Sequence, residues 1–309
     1  MRSTQIALAG ATGNLGIPIL KALLDAEYHV TVLSRIGGNS SKLNPHPNQT
    51  IKEVDFTSVQ SLIPALQDVD VVVSCLATSA IGSQNPLIDA AVAAGVKRFI
   101  PAEFGMDSLN PLSVQLPVCA PKAATQKYLL DKSNHHPEFT FTSIANGLFL
   151  DWCLETGIIL DLKQHTATLY NGGGVPFSAT KLADVAKGVL GVIEHQVETA
   201  NRVVYIHSAL VTQNRLIQYA KDKDGKAWET VVKDTEDVRK ESLAELAKGD
   251  RADVDTAMLG FSIVGCGDPN YGCDFSGHLD NGLLGVKEMS EVELRMLVES
   301  YLDIDTARH

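Results

Sequence analysis

Ile6-Ala7-Leu8-Ala9-Gly10-Ala11-Thr12-Gly13-Asn14-Leu15-Gly16 links a short apolar run to a stretch of helical pattern, Ile17 to Ala26. The glycines let the backbone turn sharply and lie close to a pyrophosphate, whose charge the free amides of the following helix start accept. A second strand, Tyr28 to Leu33, closes a βαβ unit. A strand, a glycine turn and a helix in that order predict a dinucleotide site. The candidate cofactor-binding residues of the turn are Gly10, Thr12, Gly13, Asn14, Leu15 and Gly16. The spacing is G-x-x-G-x-x-G rather than the commoner G-x-G-x-x-G, so context carries much of the reading.

Beyond the second strand stands Ser34-Arg35, followed by a loop rich in Gly, Ser, Asn and Pro from Ile36 to Asn48. An acidic residue about 20 positions past the glycines binds the ribose hydroxyls of NAD, whereas an arginine accommodates a 2′-phosphate. No Asp or Glu occupies that place. Arg35, with Ser34 and Lys42, therefore predicts NADP(H); a solvated loop arginine is the alternative. Thr50 to Val54 reads as a third strand, and Asp55 after it either meets the adenine or caps a helix over Val59 to Leu66. Val69 to Leu76, apolar except for Asp70 and Ser74, has the pattern of a strand buried on both faces. Its end, Leu76-Ala77, and the loop to Ser83 are expected at the cofactor crevice, because ligands lie beyond the carboxyl ends of such strands.

Pro86 to Ala94 predicts a helix stopped by Gly95, and Val96 to Pro101 a fifth strand. Here two blocks become specific. Gln84-Asn85-Pro86-Leu87-Ile88-Asp89-Ala90-Ala91 and Ala94-Gly95-Val96-Lys97-Arg98-Phe99-Ile100-Pro101-Ala102-Glu103-Phe104-Gly105 resemble "Q-x-x-x-I-x-A … A-G-V-K-R-F-x-P-S-E-F-G". That pattern belongs to the isoflavone reductase and phenylcoumaran benzylic ether reductase group of NmrA-like, atypical short-chain dehydrogenases. Ala102 departs from the family's serine, and Glu103 reads as structural. The likeness covers the first half of the chain well and the second half loosely.

The resemblance singles out Lys122, in the helix opening at Ala120-Pro121, as the residue that handles a proton and contacts the nicotinamide ribose. Desolvation beside a cofactor would lower its pKa toward a useful range. The tyrosine position of Tyr-x-x-x-Lys, four residues earlier, is Val118. A literal Tyr-x-x-x-Lys, Tyr128 to Lys132, lies roughly 240° around the helix from Lys122 and cannot share its pocket. With no tyrosine to protonate an alkoxide, ordinary ketone reduction is disfavoured unless another donor such as Tyr170 moves in. A lysine can instead deprotonate a phenol or steady an enolate while hydride reaches a conjugated carbon.

Phe139 to Ala145 predicts a sixth strand, after which Asn146 and Phe149 resemble the family's turn near the nicotinamide. Asp151 to Leu162 has helical potential, and Val203 to Ile206 reads as a last strand. Leu216 to Ala220, Thr235 to Lys248 and Ser290 to Leu302 are helical, and the glycine-rich Gly260 to Gly285 is expected as a loop over a substrate cleft. The expected class is α/β, a doubly wound parallel sheet of Rossmann type with a smaller α/β substrate domain. Residues 1–155, re-entered at about 178–207, would form the NADP-binding domain, and 156–177 with 208–309 the substrate region.

The 309 residues carry 26 Lys and Arg against 37 Asp and Glu, a net charge of −11. That balance argues against a general grip on nucleic acid or anionic lipid. No apolar stretch reaches the roughly 18 residues of a membrane span, and Gly10 interrupts the first apolar run before it could act as a signal peptide; the expected place is cytoplasmic. Five scattered cysteines suggest reduced thiols. Cys266 and Cys273 have only His278 nearby, too little for zinc, so no metal is expected. The reading is an NADPH-dependent reductase of a small aromatic or enone-type secondary metabolite, as monomer or homodimer. Its alternatives are a non-catalytic NADP(H)-sensing regulator and a non-redox isomerase or dehydratase on the same fold.

Overall fold

Alternation along the first strand sets up the two faces of the sheet. The computed structural model describes residues 4–302. It opens with β1 (Gln5–Ala9), α1 (Gly16–Asp25), β2 (His29–Arg35), β3 (Gln49–Val54), α2 (Val59–Leu62) and β4 (Val71–Ser74). Then come α3 (Asn85–Ala93), β5 (Arg98–Ile100), α4 (Ala120–His135) and β6 (Thr140–Ala145). The later chain supplies β7 (Leu148–Phe149), α5 (Leu150–Thr156), β8 (Thr166–Tyr170), β9 (Phe177–Thr180), α6 (Leu182–Glu194) and β10 (Arg202–Tyr205). It ends with β11 (Ala209–Val211), α7 (Gln213–Asp224), β12 (Glu229–Lys233), α8 (Thr235–Leu246), α9 (Val254–Gly267) and α10 (Glu291–Leu302).

Seven strands form one parallel sheet in the order β10-β6-β5-β4-β1-β2-β3. Side chains of successive strand residues point to opposite faces. Ile6 and Leu8 accordingly pack with Ile19, Leu23, Val189 and Val192 of α1 and α6, while Ala7 and Ala9 pack with Leu87, Ile88 and Leu129 of α3 and α4. Each large aliphatic side chain buried this way contributes about 1.5–3 kcal/mol. The chain winds outward in both directions from β1 and β4, so the crevice between their carboxyl ends is the switch point where ligands bind in such sheets.

Arg98, the arginine of the A-G-V-K-R-F block, is wholly buried and, among the described residues, pairs with no carboxylate. Its guanidinium donates to Thr140 Oγ1 at 2.8 Å, Thr142 Oγ1 at 2.8 Å, Thr199 Oγ1 at 2.9 Å and the Gln196 carbonyl. Burial lowers its pKa to about 10, which leaves it charged at neutral pH. It thereby stitches the approach to β10 onto β5 and β6.

Three expectations are corrected. Val203 to Ile206 is not the last strand: β11 pairs antiparallel with β9, and β12 pairs parallel with β8 in separate small sheets. Both escape notice because β11 has three residues and β12 is mostly exposed. The helix expected from Asp151 stops at Thr156, where Gly157 takes φ +75°. The glycine-rich stretch from Gly260 is helical through Gly267. Gly260 and Gly265 serve close packing, since a Cβ would lie 2.1 Å from Ser242 Oγ or 1.8 Å from Met106 Sδ. Around α9 a second core gathers Leu150, Phe177, Leu216, Phe261 and Phe275. Among the described residues no helix is long and apolar enough to cross a membrane.

Candidate functional site

The glycine turn sits at the carboxyl end of β1. Gly10 takes φ +79°, and a Cβ there would be 2.2 Å from the Cys75 carbonyl, just past β4. At Gly16 a Cβ would be 2.0 Å from the Gly10 carbonyl. These two glycines are therefore demanded by the fold. Gly13 differs: the nearest atom to a Cβ would be Gly10 O at 3.4 Å, an ordinary contact. Space left over an exposed Gly13 suits a ligand lying against the backbone. Thr12 and Asn14 are exposed beside it, Leu15 packs inward, and α1 has neither a capping side chain nor an acidic residue in its first turn. A helix start left that way offers its amides to an anion, so this turn fits a pyrophosphate.

At the end of β2, Arg35 is exposed and, among the described residues, has no carboxylate in ion-pair range. Ser34 is buried, its hydroxyl on the Arg35 carbonyl at 3.2 Å. Lys42 is exposed in the turn Asn39–Lys42 of the same loop. Asp55 does not cap α2, a role taken by Ser58, which accepts the Ser61 amide at 3.2 Å. Its carboxylate instead accepts the Thr57 hydroxyl at 2.7 Å and amide at 2.9 Å, bonds that hold its pKa below the usual range. Leu76 is half-buried and Ala77 exposed, leading into the turn Thr78–Ser83. The glutamine of the Q-x-x-x-I block staples that turn down: Gln84 accepts the Ala102 amide at 2.9 Å and donates to Ile81 O at 3.1 Å.

Lys122 lies in the first turn of α4, where Pro121 costs no helical hydrogen bond. It is 7% exposed, and its ammonium donates to the Glu103 carbonyl. Gly105 keeps that place open, since a Cβ on it would come within 3.0 Å of Lys122 Nζ. The Gly105 carbonyl in turn accepts the amides of Asn146 and Gly147, each at 2.9 Å. One loop thus brings Lys122 and Asn146 together at the ends of β5 and β6. Asn146 is fully buried; its Nδ2 donates to Gly147 O at 3.0 Å while Oδ1 has no partner among the described residues. Glu103 is 2% exposed, and its Oε1 has no partner among the described residues. Burial pushes its carboxyl above the usual glutamate range, and the Lys122 charge pulls in the opposite direction.

The remaining candidates fall elsewhere. Val118 is packed in the second core, and Phe149 is half-buried on β7, opposite Thr180 of β9. Tyr128 donates to Asp89 Oδ1 at 2.6 Å, and Lys132 pairs with the same oxygen at 2.7 Å. That Tyr-x-x-x-Lys ties α4 to α3. Tyr170 lines a cavity of about 20 Å³ with Leu148, Phe177, Gln213, Ile263 and Cys266, and burial raises its pKa. His278 meets Tyr205 edge to face, with ring centroids 4.4 Å apart.

Sequence reasoning missed Tyr205. Its hydroxyl donates to Asp107 Oδ2 at 3.1 Å, two residues past Gly105, and burial followed by the Asp107 charge raises its pKa. β10 thereby braces the Lys122 loop. No local motif announces a contact between residues 98 positions apart.

The model of the NmrA-like family matches residues 2–249. Oxidoreductase poxI of Penicillium oxalicum is 34% identical over 230 residues, covering 72% of this chain and 71% of that protein. Oxidoreductase aprR of Aspergillus flavus is 34% identical over 249 residues, covering 79% and 82%. The leucoanthocyanidin reductase–NADPH complex from Vitis vinifera superposes with a TM-score of 0.73 at 20% identity, over 97% of this chain and 100% of that one. At that identity the match speaks to the fold.

Proposed function

This chain belongs to the NmrA-like family, and on that premise we propose that it is an NADPH-dependent reductase of a small aromatic or enone-type secondary metabolite. Lys122 carries the reading. It is a buried ammonium held by a carbonyl rather than a carboxylate, at the strand ends where the crevice opens. The names of the fungal oxidoreductases and of the reductase in the NADPH complex support the same class.

NADPH, when bound, supplies the hydride. The turn Gly10 to Gly16 holds the pyrophosphate, Arg35 with Ser34 and Lys42 receives the 2′-phosphate, and Leu76 and Ala77 border the crevice. Asp55 stands at the adenine end. Asn146, whose Oδ1 is unpartnered among the described residues, and Phe149 would lie on the nicotinamide side. Leaving or sharing the Glu103 carbonyl, Lys122 would take a phenolic proton as the neutral amine, or steady an enolate oxygen as the ammonium. Val118 offers no hydroxyl for ordinary alkoxide protonation. Of the described residues, those up to 155 and about 178–207 would make the nucleotide-binding unit, and 156–177 with those from 208 onward would surround the substrate.

The test is NADPH consumption across phenolic and enone compounds by wild type and Lys122→Ala. The substitution is expected to lower kcat by about 10²–10⁴-fold while NADPH binding changes little. An unchanged kcat would overturn the assignment.

A further inference from the structure

Cys266-Gly267-Asp268-Pro269-Asn270-Tyr271-Gly272-Cys273 leaves the end of α9 and doubles back. Asp268 accepts the Asn270 amide at 2.9 Å and so starts the single turn Pro269–Tyr271. Gly272, at φ +69°, then reverses the chain. Only glycine fits well there, because a Cβ would also meet Asn110 Nδ2 at 2.8 Å. The result is two free thiols with Cys266 Sγ and Cys273 Sγ 3.2 Å apart. Neither takes part in the site described above. Cys266 lines the cavity beside Tyr170 and Phe177, and the Cys273 carbonyl accepts the Ser178 amide at 2.8 Å. The pair therefore spans from α9 to β9.

We propose that Cys266 and Cys273 are a redox couple, converted from dithiol to disulfide by a two-electron oxidant of the peroxide class. The sulfurs need to approach by roughly 1 Å to bond. One S–S bond forms as both S–H bonds and the peroxide O–O bond break; the thiols are oxidised and the peroxide leaves as two waters. Cys119 and Cys153 lie in the same core but make no sulfur–sulfur contact among the described residues. The hydrogen bond with Cys273, together with burial, disfavours the Cys266 thiolate. Oxidation is accordingly slow, on the order of hours, and, of the two, Cys266 borders a cavity.

The experiment exposes the full-length chain to hydrogen peroxide, alkylates the remaining thiols and reads intact and peptide masses. The couple predicts a loss of about 2 Da, with two of the five cysteines lost to alkylation and mapped to Cys266 and Cys273. Dithiothreitol restores both, and Cys266→Ser or Cys273→Ser abolishes the loss. Should either variant fail to fold, the wild-type map decides alone. No loss after prolonged exposure, sulfinic acid on either sulfur, or pairing with Cys119 or Cys153 would overturn the proposal.

Discussion

The two ends of α4 carry lysines with opposite surroundings. Lys122, in the first turn, is buried and rests on the Glu103 carbonyl. Lys132, in the last, has a quarter of its side chain exposed and lies 2.7 Å from the Asp89 carboxylate, which also holds the Tyr128 hydroxyl. The bond to Asp89 raises the Lys132 pKa, so it is a fixed cation, and the tyrosine beside it is already engaged. The spacing Tyr-x-x-x-Lys is satisfied where no chemistry can follow. Position relative to the strand ends, rather than spacing, distinguishes the two lysines.

Lys122→Ala set beside Lys132→Ala tests that contrast with the largest expected effect. The first is expected to reduce turnover by about 10²–10⁴-fold and the second to leave it within about threefold, since the half-buried Lys132–Asp89 pair lies at the other end of α4, away from the strand ends. Equal losses of turnover would erase the distinction. Arg35→Ala comes next: losing a charge-assisted bond worth about 1.5–3 kcal/mol should weaken NADPH binding roughly 10- to 100-fold without altering NADH binding, as read by cofactor fluorescence.

A smaller effect concerns the acid beside Lys122. Because the folded state raises the Glu103 pKa, mainly through burial, folding favours its protonated form. Its contribution is favourable below the unfolded glutamate pKa and is lost as pH rises toward the raised value. Thermal melts of Glu103→Gln should lack that decline, so the variant gains on wild type as pH increases through this window. Parallel curves at every pH would show that Glu103 does not titrate as described.

Much of the nucleotide half was legible because its signals are local. Gly16 is required by the Gly10 carbonyl of the same turn and Gly10 by its φ of +79°, and β1 and β4 announce themselves as mostly apolar runs. The blocks that carried the family likeness were also visible, though their mechanical roles were not. Gln84 staples two loops and Arg98 binds three threonines, work that shows only once distant segments meet. The second lobe was harder for the same reason. Gly260 and Gly265 look like loop residues until Ser242 and Met106 are placed against α9. Tyr205 and Asp107, and the two thiols closed by the Gly272 turn, likewise depend on tertiary approach.

The central claim is that cofactor and lysine meet at the ends of β1, β5 and β6. A crystal structure with NADP⁺ tests it most directly. The account predicts pyrophosphate against Gly13, the 2′-phosphate at Arg35, and the nicotinamide ribose within roughly 3.5 Å of Lys122 Nζ. A nucleotide bound elsewhere, or a ribose that leaves Lys122 solely on the Glu103 carbonyl, would contradict it.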